Sequence, residues 1–514
     1  MRAHGYKTRF IKYISAGCAL TAASLIATSA IAQIKSEHSR LESSGCATRA
    51  LSDAGAQCYT LYTEENHDHP NGTTIEVPVA VLPSDSQGQE RSQKTPAFFF
   101  TGGPGASMLA APELIRQYRK DVGARPLVVF DYRGMNHSQP ALKCPDYANV
   151  STYHDIIFSP AISGSLSTTE RMRSITDAVQ RCYQKLEAEG SDISQYNSYT
   201  IAQDVEAIRE GLGYDSINVY GRSTGGGTAL QYMRYYPEHV RSAVLVSPWY
   251  TNLRNRAPID EFYTAKQKYT DILGLCVRQN EQCQHTVPAW FLAIERARRA
   301  LDSKPYVKTL KAGTTNDEET HYFDGVAFLH TLYITLPSMY EDLPRVVSEV
   351  QEGDYGSLDE FFRIDTFKPE TEAPSYALGY FLANTCNDMG ANRPTKADSR
   401  AMLEREPALL GFEQPWVCAW WGTDGAVPKE NSQRFESDTP VLSIHGQMDP
   451  CCGIRWGQHL AESFENIQVV ELQGRGHTPD SECGTTMMQG FLRDPGSPVD
   501  DSCTKNNPLE AWRL

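Results

Sequence analysis

What this 514-residue chain lacks closes several classes of function. It has no excess of positive charge: 48 Lys and Arg stand against 63 Asp and Glu, a formal net charge of −15, and no basic run interrupts the pattern. An acidic surface repels phosphate backbones, so a nucleic-acid partner is disfavoured. None of its 13 cysteines forms a C-x-x-C pair. A common zinc-ligand spacing is therefore missing, and no metal is expected. His67 and His69, in "NHDHP", read as belonging to a solvated loop rather than as ligands. After the N-terminus there is no apolar span of about 20 residues, so no stable membrane anchor is expected. No internal repeat is visible.

What is present is ordinary globular material, 40% hydrophobic and 22% charged, enough for a sizeable core. Arg2, Lys7, Arg9 and Lys12 precede the apolar, small-residue stretch "ISAGCALTAASLIATSAIA", which ends in Ala30-Ile31-Ala32. That is the pattern of an export signal cleaved after Ala32, and it predicts a secreted or periplasmic mature protein. Setting Cys18 aside leaves an even number of cysteines, which suits an oxidising compartment. Proximity along the chain suggests Cys46–Cys58, Cys144–Cys182, Cys276–Cys283, Cys386–Cys418 and Cys483–Cys503. Cys451 and Cys452 are adjacent; a bond between them, other partners and free thiols all stay open.

From Thr95 onward a rhythm appears. "PAFFF" is closed by "TGGPG", "PLVVF" by "DYRGMN", "SINVY" by "GRSTGGG", "PVLSI" by "HGQMDP" and "IQVVEL" by "QGRGH". Short continuous apolar runs are what strands buried on both faces look like. "TIAQDVEAIREGLG" between them has helical spacing and ends at glycines. Strands alternating with helices predict an α/β protein with a mostly parallel sheet, whose chemistry sits at the carboxyl ends of the strands. The stretch 248–438 breaks the rhythm and reads as a mainly helical lid inserted into the sheet domain. The expected organisation is a signal peptide over 1–32, an N-terminal core segment over 33–247, the lid over 248–438 and a C-terminal core segment over 439–514.

"GRSTG" places Ser223 directly after an apolar strand and before a helix. At such a turn the serine is strained and its neighbours must be small, hence Gly221 and Gly225. The Thr224 N–H then faces a developing oxyanion. A serine hydroxyl needs a base and an orienting carboxylate. Asp449 and His477 follow later strands in the order Ser, Asp, His. His445 reads as a strand-end packing residue, His459 as a helix-surface residue, and Asp480 as a rival to Asp449. Asp131 is expected to hold a loop through Arg133. Gly103 in "TGGPG" is the second oxyanion donor, with Gly102 the alternative.

"TGGPG" resembles the HGGPG of the prolyl and tripeptidyl aminopeptidase group of α/β-hydrolases. "DYRGMNHSQPALKCP" resembles that group's DQRG segment, with Asn136 at its second glycine. "GRGHTP" and the cysteines and "GSP" that follow resemble the tail of its secreted tripeptidyl-aminopeptidase-like branch. The resemblance implies an α/β-hydrolase fold with a helical lid, no cofactor, Ser223 as nucleophile, Asp449 as acid and His477 as base. It implies an aminopeptidase acting on free N-termini, with a peptide or small ester as substrate. Thr101 stands where the group has His, and Thr224 where an aromatic usually follows the nucleophile. A carboxylesterase on the same triad and a non-catalytic binding protein are the alternative readings.

Overall fold

The computed structural model describes residues 39–69, 72–83, 95–144, 168–250, 259–311, 318–335, 340–358, 377–406, 409, 416–422, 425, 427–477, 480–504 and 511–514. The signal segment 1–32 lies outside the described residues. A nine-stranded sheet organises the chain, in the order β1-β2-β3-β5-β4-β6-β7-β10-β11. Its strands are β1 (Arg40–Ser43), β2 (Gln57–Glu64), β3 (Thr74–Leu82), β4 (Ala97–Phe100), β5 (Leu127–Phe130), β6 (Ile217–Arg222) and β7 (Val240–Val246), then β10 (Val441–Gly446) and β11 (Ile467–Leu472). A separate antiparallel hairpin joins β8 (Tyr306–Lys311) to β9 (Glu318–Phe323). Strands β5, β4, β6, β7, β10 and β11 pair in parallel, and β1, β2 and β3 extend the sheet antiparallel beyond β5. Four of the apolar runs are inner strands, β4, β5, β6 and β10, buried at every position; "IQVVEL" is the edge strand β11.

Strand alternation divides the core between the two faces. Phe98 and Phe100 of β4 join Val128, Phe130 and Val219 against the helices Ser198–Gly211 and Gly225–Tyr235. Phe99 turns the other way, with Val129 and Tyr220, against Pro112–Val122 and Glu482–Arg493. Each of these phenylalanines is at most 1% exposed, and burying such a ring contributes about 2–3 kcal/mol. The helix Ser198–Gly211 begins where Asn197 accepts from the N–H of Tyr199 and Thr200, and a capping box closes with the Thr200 side chain. Strand order reverses between β4 and β6, since β5 flanks one side and β7 the other. The crevice at such a reversal is where α/β sheets place their ligands.

The described residues between β7 and β10 are mostly helical, with the β8–β9 hairpin as an unexpected element. It packs onto the strand ends. Ala377 donates its N–H to the Gly105 carbonyl at 3.2 Å, Lys268 reaches the Gln447 carbonyl at 2.9 Å, and Tyr340 reaches the Gly474 carbonyl at 2.9 Å. The five disulfides suggested by chain proximity are present, and Cys451 is bonded to Cys452. No described helix is long and apolar enough to cross a membrane.

Asp388, at the end of the helix Leu378–Asp388, accepts from the N–H of Ser198 at 2.8 Å and from the Ser198 hydroxyl. Burial, against those two hydrogen bonds, pushes its carboxyl up to about 6. A carboxyl raised in the folded state stabilises below its unfolded pKa, and that stabilisation is lost as pH rises through the folded value. Asp388→Asn keeps an acceptor for Ser198 without the ionisation. Urea unfolding at pH 4 and pH 7.5 is expected to show the variant gaining on the parent by up to about 3 kcal/mol across this interval. Equal pH dependence in the two proteins would refute the assignment.

Candidate active site

Ser223 follows β6 and carries φ 53, one of two positive values among the described non-glycine residues. Three backbone bonds hold it there: its N–H donates to the Val246 carbonyl at 3.0 Å, and its carbonyl accepts from Trp249 at 2.8 Å and from Gly226 at 2.9 Å. The turn lifts Oγ to 2.9 Å from His477 Nε2. His477 Nδ1 lies 3.0 Å from Asp449 Oδ2. An ionised carboxylate only accepts, so Nδ1 carries the proton and Nε2 is free to take one from the serine.

Asp449 is 1% exposed. Burial pushes its carboxyl up, but the His477 imidazole and the Cys452 and Cys451 amides outweigh it and hold the group below its ordinary range. Its Oδ1 accepts from the N–H of Cys451 at 2.9 Å and of Cys452 at 3.0 Å. The loops after β10 and β11 are tied together directly, since Met448 donates its N–H to the Arg475 carbonyl at 2.8 Å. Gly446 permits this approach, because a Cβ there would come within 2.5 Å of the same carbonyl oxygen.

The "TGGPG" turn leaves β4 beside the serine. A Cβ on Gly102 would fall 2.8 Å from the Ser223 Cβ and 3.5 Å from its Oγ. Among the described residues, the N–H groups of Thr224, Gly102 and Gly103 find no internal acceptor. Thr101 is buried, its hydroxyl 3.3 Å from the Ala106 carbonyl, and its own carbonyl accepts from Tyr132 at 3.2 Å.

Several residues stand elsewhere than expected. Asp131 does not hold Arg133; it accepts from Ser107 at 2.8 Å and from His137 Nδ1 at 2.9 Å. Arg133 instead pairs with Asp204, with Nε 2.7 Å from Oδ2. His67 is not solvated but buried in this pair, 3.0 Å from Asp204 and 2.9 Å from Arg133. A buried guanidinium needs more acceptors than its own loop supplies, and the helix Ser198–Gly211 and the segment between β2 and β3 provide them, with the Glu64 carbonyl at the end of β2 at 3.4 Å. Asp480 turns from His477 to Arg222, at 2.6 Å. Arg222 also lies 3.2 Å from the Tyr220 hydroxyl and 4.6 Å above the Tyr118 ring, so the residue before Ser223 anchors the chain just after His477. His445 is buried at the end of β10, between the Cys452 carbonyl and the Ser443 hydroxyl. A single arginine before a serine carries no sequence signal for that role.

The carboxylate of Asp449, the imidazole of His477 and the sulfurs of Cys451 and Cys452 all lie within 4.8 Å of one another. The two sulfurs are bonded to each other, and both carboxylate oxygens are engaged.

Residues 96–274 match the family described as alpha/beta hydrolase fold, and residues 411–503 match the family described as TAP-like protein. Tripeptidyl aminopeptidase of Streptomyces lividans is 23% identical over 87% of this chain and 82% of its own length. Serine protease Hip1 of Mycobacterium tuberculosis is 28% identical over 37% of the chain and 35% of its own length. Carboxylesterase B of the same organism is 29% identical over 37% and 35% respectively. The chain is an α/β-hydrolase with a TAP-like C-terminal region, distantly homologous to tripeptidyl aminopeptidase.

Proposed function

We propose that the protein is an exported serine hydrolase that releases short peptides from free N-termini. The observation that carries this reading is the unbroken hydrogen-bonded series from Ser223 Oγ through His477 to the buried Asp449. Ser223 attacks the substrate carbonyl while His477 Nε2 takes its proton. The Thr224 and Gly103 N–H groups receive the oxyanion, with Gly102 beside them. The imidazolium protonates the leaving amine, and a water activated by the same imidazole releases the acyl group. The segment 248–438 serves as the lid over this site.

Peptidase over esterase is favoured by the extent of the resemblance. It covers 87% of the chain for tripeptidyl aminopeptidase and 37% for carboxylesterase B. The lid acids in "YEDL" are not free to receive a substrate ammonium: Glu341 pairs with Arg513 at 3.1 Å, and Asp342 with Arg345 at 3.1 Å. "TNDEET" falls largely outside the described residues, as do the last acids of "EGDYGSLDEF", whose Glu352 and Asp354 are exposed.

The test compares a tripeptidyl p-nitroanilide with a free N-terminus, its N-acetylated form and a short-chain p-nitrophenyl ester. The free amine is expected to raise kcat/KM by about tenfold or more over the acetylated form, the scale of one buried charge contact. Equal turnover of both arylamides, or turnover of the ester alone, would remove the aminopeptidase reading.

A further inference from the structure

The two amides that hold Asp449 belong to the two cysteines that are bonded to each other. The backbone on either side is tied as well. The Cys451 carbonyl accepts from the Trp456 indole N–H at 2.9 Å, and the Cys452 carbonyl accepts from His445 Nδ1 at 2.8 Å. His445 is in turn held by Ser443, with 2.8 Å between Nε2 and the hydroxyl. The dipeptide is therefore pinned by its N–H groups to the carboxylate and by its carbonyls to the strand end and the following helix. The disulfide closes a ring through the 451–452 peptide. Within such a ring the rotations on either side of that peptide cannot vary independently, so the direction of the Cys452 N–H is coupled to that of Cys451.

We propose that the Cys451–Cys452 disulfide is a positioning element for the reaction at Ser223: it pre-sets the two N–H donors that orient Asp449 toward His477. The inference rests on the triad reading above. An Asp side chain accepting from the second and third following amides is a common local turn and forms without any ring. The ring adds restriction. Without it, the dipeptide samples other rotations, the carboxylate follows its donors, and the imidazole loses its fixed partner during the reaction. Misplacement of an orienting group acts on kcat more than on substrate binding.

A dithiol reductant opens the bond by two exchanges. One reductant thiolate attacks a cysteine sulfur and the other cysteine sulfur leaves with a proton. The second reductant thiol then displaces the mixed disulfide, so two electrons and two protons end on Cys451 and Cys452 and the reductant becomes its own disulfide. Cys451 is half-buried, which gives the reductant a route. The other five pairs share the solution, so the variant lacking this pair is the control.

The experiment uses the full-length protein, Cys451→Ser/Cys452→Ser and Asp449→Asn, with brief dithiothreitol treatment and reoxidation. Alkylation before reduction is expected to leave both cysteines of the parent unmodified; free thiols there would overturn the proposal. The double variant is expected to lose about tenfold in kcat with KM held within about twofold. Dithiothreitol is expected to bring the parent to the same kcat, reversibly, and to leave the double variant unchanged. Parental kcat in the double variant, or equal sensitivity of both proteins to reductant, would overturn the clamp. Asp449→Asn is expected to cost about a thousandfold. Full activity there removes the triad reading and the clamp with it, whereas loss there with parental kcat in the double variant removes the clamp alone.

Discussion

Ser223→Ala is expected to lower kcat/KM by about 10⁴- to 10⁶-fold on every substrate the parent turns over, because the nucleophile and its base act as one unit. The fold should be untouched. Ser223 is held by backbone bonds to Val246 and Trp249, and its Oγ contacts only the His477 ring among the described hydrogen bonds. Labelling by a fluorophosphonate probe is expected to vanish together with turnover, while the melting curve stays in place. Ser223→Gly sharpens the test. At φ 53 a serine is strained and a glycine is not, so this variant is expected to gain about 0.5–1 kcal/mol of stability while remaining inactive. An Ala variant with parental turnover would end the assignment of Ser223.

Gly225→Ala is the second large effect, and it acts on the fold. A Cβ at this position would lie inside contact distance of the Phe100 carbonyl, 2.6 Å from its carbon and 2.6 Å from the Thr101 oxygen. These are backbone atoms of β4 and the turn that follows it, so no side chain can rotate away. The helix after Ser223 would have to back off from the strand that supplies "TGGPG". A loss of about 3 kcal/mol or more is expected, at the upper end for overpacking, and activity should be lost even in the folded fraction because serine and turn separate. Gly490→Ala in the helix Glu482–Arg493 is the matched control. Nothing lies within 4 Å of a Cβ there, and replacing a helical glycine is expected to stabilise by up to about 1 kcal/mol. Urea midpoints for the pair decide the matter; a parental midpoint for Gly225→Ala would show that the close approach of helix and strand is not needed.

The inner strands β4, β5, β6, β7 and β10 are legible in the sequence because burial on both faces makes them nearly continuous apolar runs, and the edge strand β11, "IQVVEL", is legible because its run is apolar enough to stand out as well. The antiparallel strand β2, between β1 and β3, is not. "QCYTLYTE" mixes buried with half-buried and polar positions, and a short run of that kind does not stand out against a loop. The β8–β9 hairpin lies in a stretch rich in charged and aromatic residues, where "YVKTLK" and "EETHYF" hold no continuous apolar run to mark a strand. The disulfides Cys46–Cys58 and Cys483–Cys503 can be guessed because close cysteines meet often. The pairing of Arg133 with Asp204 and His67 cannot, since those partners sit 71 and 66 positions away along the chain.

By itself the sequence determined what depends on neighbours in the chain. Buried runs end in glycine turns, Ser223 sits between strand and helix, and a serine, an aspartate and a histidine follow in order. Sterics and burial act over a few residues, so they leave a local trace. Only the tertiary structure decided which carboxylate faces the imidazole. Asp449 and Asp480 lie on either side of His477, and the choice depends on how the loops after β10 and β11 pack. Arg222, reaching across 258 positions, draws Asp480 away, while the Cys451 and Cys452 amides turn Asp449 toward the ring. A hydrogen bond is made or lost within about 0.5 Å, and sequence spacing carries no information at that scale.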